Sequence, residues 1–232
     1  MSKTALALLP GLLCDHALWR HQVDSLIDIA DSQVADFTTQ DSVGDMAESV
    51  LAMMPQRFAL AGLSMGGYVA LEVMRRAPER VERLALLDTS ARPDTEEQSR
   101  KRRGLLSLAE RGQFKGVTPR LLPLLIAERF LEDKTITSVV MEMAERVGRE
   151  AFKNQQRAIM NRPDSRPDLP GISVPALLLC GAEDVLTPPD RLQEMAEAIP
   201  DADLVILGGA GHLTPLERPE AVTAALRAWL KR

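Results

Sequence analysis

Ser64 stands in Gly62-Leu63-Ser64-Met65-Gly66, behind an apolar run at 58–61 and ahead of a helical pattern at 67–76. A hydroxyl at the tip of a strand-to-helix turn is a nucleophile held clear of its own backbone. So tight a turn tolerates almost no side chain two positions to either side, and Gly62 and Gly66 meet that demand. A serine attacks only when a base takes its proton, and the chain offers three histidines, His16, His21 and His212. His212 ends Gly208-Gly209-Ala210-Gly211-His212, a flexible loop just past the apolar run 204–207, and is the expected base. His16 and His21 lie five apart at the first helix, a spacing that does not stack side chains on one face. They are read as structural or solvated, with His16 able to border the pocket.

An imidazole base needs a carboxylate to hold its tautomer and stabilise its charged form. Gly181-Ala182-Glu183-Asp184 follows the run 176–180, so Asp184 is the expected acid, with Glu183 and Asp88 as fallbacks. The oxyanion formed on attack needs two N–H donors. Met65, directly after the nucleophile, supplies one, and the turn Leu9-Pro10-Gly11-Leu12-Leu13 supplies the other, Leu12 first and Leu13 second. The chemistry these residues can perform is acyl transfer through a serine.

Elements must bring these distant positions together. Nearly unbroken apolar runs occur at Thr4–Leu9, 34–37, 58–61, 83–87, 176–180 and 204–207. Continuous hydrophobicity suits strands covered on both faces, and the amphipathic patterns at 16–30, 45–54, 67–76, 191–198 and 219–231 suit crossover helices. The expectation is an α/β fold with a mostly parallel sheet of about six core strands. From 92 to 168 no strand pattern appears, so this stretch reads as a helical cap inserted into a core made of 1–91 and 169–232. Its charged opening, 92–103, reads as a solvated face. Two prolines, Pro119 and Pro123, permit only short or kinked helices there, before a longer helix around 139–159. Leucines and methionines such as Leu122, Ile126 and Met143 are as suited to packing as to lining an acyl pocket.

Composition narrows the function classes. The 232 residues carry a net charge of −5, a sequence pI of about 5.4 and only 3% aromatic residues. An acidic surface with few stacking platforms excludes nucleic acid as the expected partner and disfavours anionic membranes. Cys14 and Cys180 show no disulfide framework and are expected to be free, buried thiols. No metal-ligand spacing and no phosphate-cradling glycine loop appears, so neither metal nor cofactor is expected. The short apolar N-terminus is broken by Pro10-Gly11, and no run of 18 apolar residues exists, which favours a cytoplasmic location.

Taken in order, Gly62-Leu63-Ser64-Met65-Gly66-Gly67, Gly181-Ala182-Glu183-Asp184 with Pro188, and Gly211-His212 followed by Glu217-Arg218-Pro219 resemble the α/β-hydrolase superfamily. Trp19 and Gln22 after the oxyanion turn add to the likeness, which runs along nearly the whole chain and is nearest to the compact branch of esterases, haloperoxidase-like proteins and enol-lactonases with a helical cap. Pro10-Gly11 stands where that family usually has His-Gly. The usual opening β-hairpin is absent, which leaves a trimmed sheet edge able to pair with a second subunit. The resemblance implies a serine hydrolase acting on a small carboxylic ester, lactone or thioester through an acyl-enzyme on Ser64. An acyltransferase or C–C bond hydrolase on the same three residues stays open, as does a non-catalytic protein that binds a small molecule.

Overall fold

The computed structural model describes residues 3–232. Six strands form one sheet: β1 (Thr4–Leu9), β2 (Ala30–Val34), β3 (Phe58–Leu63), β4 (Val81–Leu87), β5 (Ala176–Gly181) and β6 (Ala202–Leu207). Their spatial order is β2-β1-β3-β4-β5-β6, and every neighbouring pair is parallel. Parallel neighbours need crossovers, and helices α1 (Arg20–Leu26), α2 (Val43–Met53), α3 (Met65–Arg76), α6 (Asp190–Ala198) and α7 (Pro219–Leu230) fill both faces. Successive strand residues feed opposite cores. Leu178 packs with Met46, Val69 and Met195 on one face, and Leu177 and Leu179 pack with Leu26, Val222 and Trp229 on the other. β3 and β5 are therefore buried at every position, as their unbroken apolar sequences demand.

The sheet edges depart from that pattern. β2 lies at 30–34 rather than 34–37, because an edge strand needs one covered face and Ala30–Val34 alternates between buried and open positions. The apolar Ala35 and Phe37 that suggested a strand are buried in the loop that follows it. β6 is also an edge strand: Leu204 and Ile206 are 37% and 41% exposed. The first helical pattern divides into a 3-10 turn, His16–Trp19, and the short α1.

Residues 92–168 contain no strand. α4 (Glu96–Glu110) opens with a capping box in which the Thr95 hydroxyl accepts from Gln98 N–H and the Gln98 side chain accepts from Thr95 N–H. The prolines restrict 119–124 to a 3-10 turn, and α5 (Lys134–Met160) is broken at Gly148, where φ is 78° and ψ 178°. The return to the sheet is anchored by Arg162. Its guanidinium lies 4.1 Å from the centre of the Tyr68 ring and donates to Asp94 at 2.6 Å and to the Arg92 carbonyl at 2.9 Å. Among the described residues, no helix is long and apolar enough to cross a membrane.

Candidate active site

The chain leaves β1 toward the β2 edge and returns to place β3 on the other side of β1. At such a reversal the crossovers diverge, and a crevice opens at the carboxyl ends of the two strands. Ser64 sits at that point, between β3 and α3, with φ 54° and ψ −114°. The strained turn is held by Ser64 N–H donating to Leu87 O at 2.9 Å and by the Thr89 hydroxyl donating to Ser64 O at 2.8 Å. A Cβ at Gly62 would meet the Gly66 carbonyl, and one at Gly66 would meet the Leu9 carbonyl, which accounts for both glycines. Among the described residues, three other than glycine have positive φ, namely Leu13, Ser64 and Asp88, and they follow β1, β3 and β4, three of the four interior strands. Backbone strain is thus gathered at one edge.

His212 reaches that edge from the loop after β6. Its Nε2 lies 2.9 Å from Ser64 Oγ and its Nδ1 lies 2.8 Å from Asp184 Oδ2. An ionised carboxylate only accepts, so Nδ1 carries the proton and Nε2 is left to accept from the serine. Asp184 also accepts from Leu186 N–H at 2.8 Å, Thr187 N–H at 3.1 Å and the Thr187 hydroxyl at 2.7 Å. Burial pushes this carboxyl up, but the imidazole and the Thr187 donors outweigh it and hold Asp184 below its ordinary value. Burial likewise pushes His212 down, and the facing Asp184 charge outweighs it, so the imidazole ends above its ordinary value.

The His212 loop is clamped from two sides. Leu125 O, in the strand-free segment, accepts from His212 N–H at 3.2 Å and Leu213 N–H at 3.1 Å. The buried Glu217 carboxylate accepts from Gly211 N–H at 2.8 Å, Leu213 N–H at 3.0 Å and Ala127 N–H at 2.7 Å. Across the crevice, Cys14 N–H donates to Gly11 O and closes the turn after β1. Leu13 N–H is taken by Gln155 Oε1 at 3.0 Å, whereas Leu12 N–H and Met65 N–H have no hydrogen-bond partner among the described residues.

The structure brings Ser64, Asp184 and His212 together and sets the Leu12 turn and Met65 beside them. It does not bring Glu183, which is exposed. Asp88 is fully buried nearby, but its carboxyl meets Gly181 N–H at 2.9 Å and the Thr214 hydroxyl. His21 Nδ1 lies 3.0 Å from the Thr223 hydroxyl, and His16 borders a cavity of about 170 Å³ with Cys14, Phe37 and Arg146. Leu122, Ile126 and Met143 are buried in the core cluster that includes Leu213, next to His212. Both cysteines are free and buried, and burial pushes each thiol up to about 12. Thr187, Gln155 and Glu217 make contacts at this edge that residue types alone did not assign. Thr187, three residues after an aspartate in a turn-forming stretch, carried a local signal, and Glu217 stood in the Glu217-Arg218-Pro219 stretch that contributes to the family resemblance, whereas Gln155 carried none.

Comparison with known proteins agrees with this geometry. The model of the alpha/beta hydrolase family matches residues 8–225. A thermophilic esterase from Thermogutta terrifontis has a TM-score of 0.90 and 30% identity, covering 99% of this chain and 90% of that one. The enol-lactonase from Burkholderia xenovorans LB400 has a TM-score of 0.90 and 26% identity, covering 100% of this chain and 93% of that one. A pimeloyl-[acyl-carrier protein] methyl ester esterase of Nitrosomonas europaea is 27% identical over 241 residues, 96% of this chain and 94% of that protein. With a six-stranded parallel sheet, a strained serine turn at its switch point and a family match over most of its length, the chain belongs to the alpha/beta hydrolase family.

Proposed function

We propose that this protein is a serine hydrolase that cleaves a small carboxylic ester, lactone or thioester through an acyl-enzyme on Ser64. The observation that carries the reading is the unbroken contact chain from Ser64 Oγ to His212 Nε2 at 2.9 Å and from His212 Nδ1 to Asp184 at 2.8 Å. Ser64 Oγ attacks the carbonyl carbon while its proton passes to His212 Nε2, and Asp184 stabilises the imidazolium. The carbonyl electrons move onto oxygen, which accepts from the free N–H groups of Leu12 and Met65. Collapse of the tetrahedral species expels the alkoxide or thiolate, which takes the proton from His212. Water then gives a proton to His212 and attacks the acyl group, and the same steps in reverse release the acid and restore Ser64.

Esterase and lactonase relatives support an oxygen ester as the first substrate to try. Incubation with a fluorophosphonate, followed by peptide mapping, tests the nucleophile without a guess at substrate. A single adduct on Ser64, together with p-nitrophenyl acetate turnover lowered at least about 10⁴-fold in Ser64→Ala, is the expected result. Unchanged turnover in that variant would overturn the reading.

A further inference from the structure

Gln155, a residue only 1% exposed, reaches out of α5 and holds two loops that are remote in sequence. Its Oε1 accepts from Leu13 N–H at 3.0 Å and its Nε2 donates to Phe37 O at 3.1 Å. A backbone N–H only donates and a carbonyl only accepts, so one orientation of the amide satisfies both. Leu13 is itself held at φ 59°, a conformation that costs a branched residue about 1 kcal/mol or more and persists only where the surroundings impose it. The half of α5 beyond the Gly148 break is anchored in the body of the molecule, with Ala158 and Ile159 in the main core. Gln155 is therefore rigidly based.

The turn after β1 offers two consecutive amides to an oxyanion, Leu12 and Leu13, and the Leu13 N–H is already bonded to Gln155. We propose that Gln155 is a positioning residue for the oxyanion hole: by taking Leu13 N–H it leaves Leu12 N–H as the inward donor and fixes the turn that aims it. The proposal rests on the serine-hydrolase reading. Without the Gln155 acceptor, a buried N–H is left unpaired, and the turn relaxes toward a geometry in which neither amide is aligned with the developing charge.

The test compares Gln155→Met, Gln155→Glu and Asn154→Leu with the wild-type protein. Gln155→Met keeps the shape and loses both hydrogen bonds. Gln155→Glu, whose buried carboxyl takes up a proton opposite the Phe37 carbonyl, keeps an acceptor for Leu13 N–H and a donor to Phe37 O. Asn154→Leu breaks the neighbouring link from Asn154 to Thr39 O and leaves the turn alone. With p-nitrophenyl acetate, Gln155→Met is expected to lower kcat about 10- to 100-fold, part of the loss on deleting an oxyanion donor outright, with KM within about twofold. The affinity of a phenylboronic acid, whose tetrahedral anionic adduct on Ser64 uses the same donors, falls by the same factor as kcat/KM. Gln155→Glu stays within a few-fold of wild type, and so does Asn154→Leu.

A kcat and boronate affinity left intact in Gln155→Met would overturn the proposal, as would a Gln155→Glu protein as impaired as Gln155→Met. The second comparison stands even if Gln155→Met does not fold, because Gln155→Glu must then retain near-wild-type kcat. Failure of the wild-type protein to label at Ser64 with the fluorophosphonate is a separate result, and it overturns the serine-hydrolase reading beneath the proposal.

Discussion

The adjacent strands β4 and β5 each run into a buried aspartate, and their carboxyls are driven in opposite directions. Asp184, after β5, receives two backbone N–H groups, a hydroxyl and an imidazole, and is held below its ordinary value despite burial. Asp88, directly after β4, receives one N–H and a hydroxyl that can itself accept, with no cation in contact. Burial pushes it well above the ordinary carboxylate value, and the neighbouring Asp184 charge pushes it further. Burial is common to both, so the donor count and the facing imidazole decide which carboxyl carries charge. One strand end thus supplies an anion for His212 and its neighbour supplies a structural group that ties Gly181 to Thr214.

Removing the anion is the severest way to break this contrast. Asp184→Asn places an amide N–H opposite His212 Nδ1, which favours the wrong tautomer, and kcat for an ester is expected to fall about 10⁴-fold. The pH profile sharpens the point. His212 lies above its ordinary value in the wild type, so kcat/KM declines as pH falls through that raised value. In Asp184→Asn the carboxylate is gone and burial remains, so the acid limb moves below the ordinary histidine value. An acid limb that stays in place would mean another group supplies the charge.

Thr187→Val is milder. It removes the hydroxyl that donates to the Asp184 oxygen facing His212 while leaving the Thr187 N–H bond. The expected loss is about tenfold in kcat, with the acid limb displaced in the same direction as in Asp184→Asn but less.

Asp88→Asn has the smallest effect on turnover, within about threefold, and acts on stability instead. A carboxyl raised on folding holds its proton in the native state at pH values where the unfolded chain has lost it, so native stability declines as pH climbs above the unfolded carboxylate value. Asparagine does not titrate and can donate to Thr214. Thermal unfolding should therefore give Asp88→Asn a Tm a few degrees above wild type at pH 7.5, with the gap closing toward pH 4. A gap that widens toward acid would show that Asp88 is ionised in the native protein, as Asp184 is.

The interior of the fold was legible because its cause is local. β3 and β5 are covered on both faces, and only unbroken apolar runs such as Phe58–Leu63 and Ala176–Gly181 satisfy that. The edges were not. Ala30–Val34 needs one apolar face and reads as a weak alternation, while the apolar Phe37 marks a buried loop rather than a strand. In the site, the glycine spacing around Ser64 and the scarcity of histidine singled out Ser64 and His212, and the Gly-rich strand ends put Asp184 and Leu12 forward, the same groups that the fold brings to one edge of the sheet.

What the sequence by itself determined was the menu: a serine in a turn that admits no neighbouring side chains, one histidine on a glycine loop, and aspartates at strand ends. It also ranked Asp184 ahead of Asp88 and Leu12 ahead of Leu13, whereas the partners that set each group apart came from tertiary structure, because they lie in segments far apart in the chain. The Gln155 bond to Leu13 spans 142 positions, and Asp88 meets Thr214 across 126. No local pattern records such a partner, since the propensities and periodicities that shape a helix or strand act over a few residues. Charge state and donor alignment are set by whatever the fold brings within hydrogen-bonding reach.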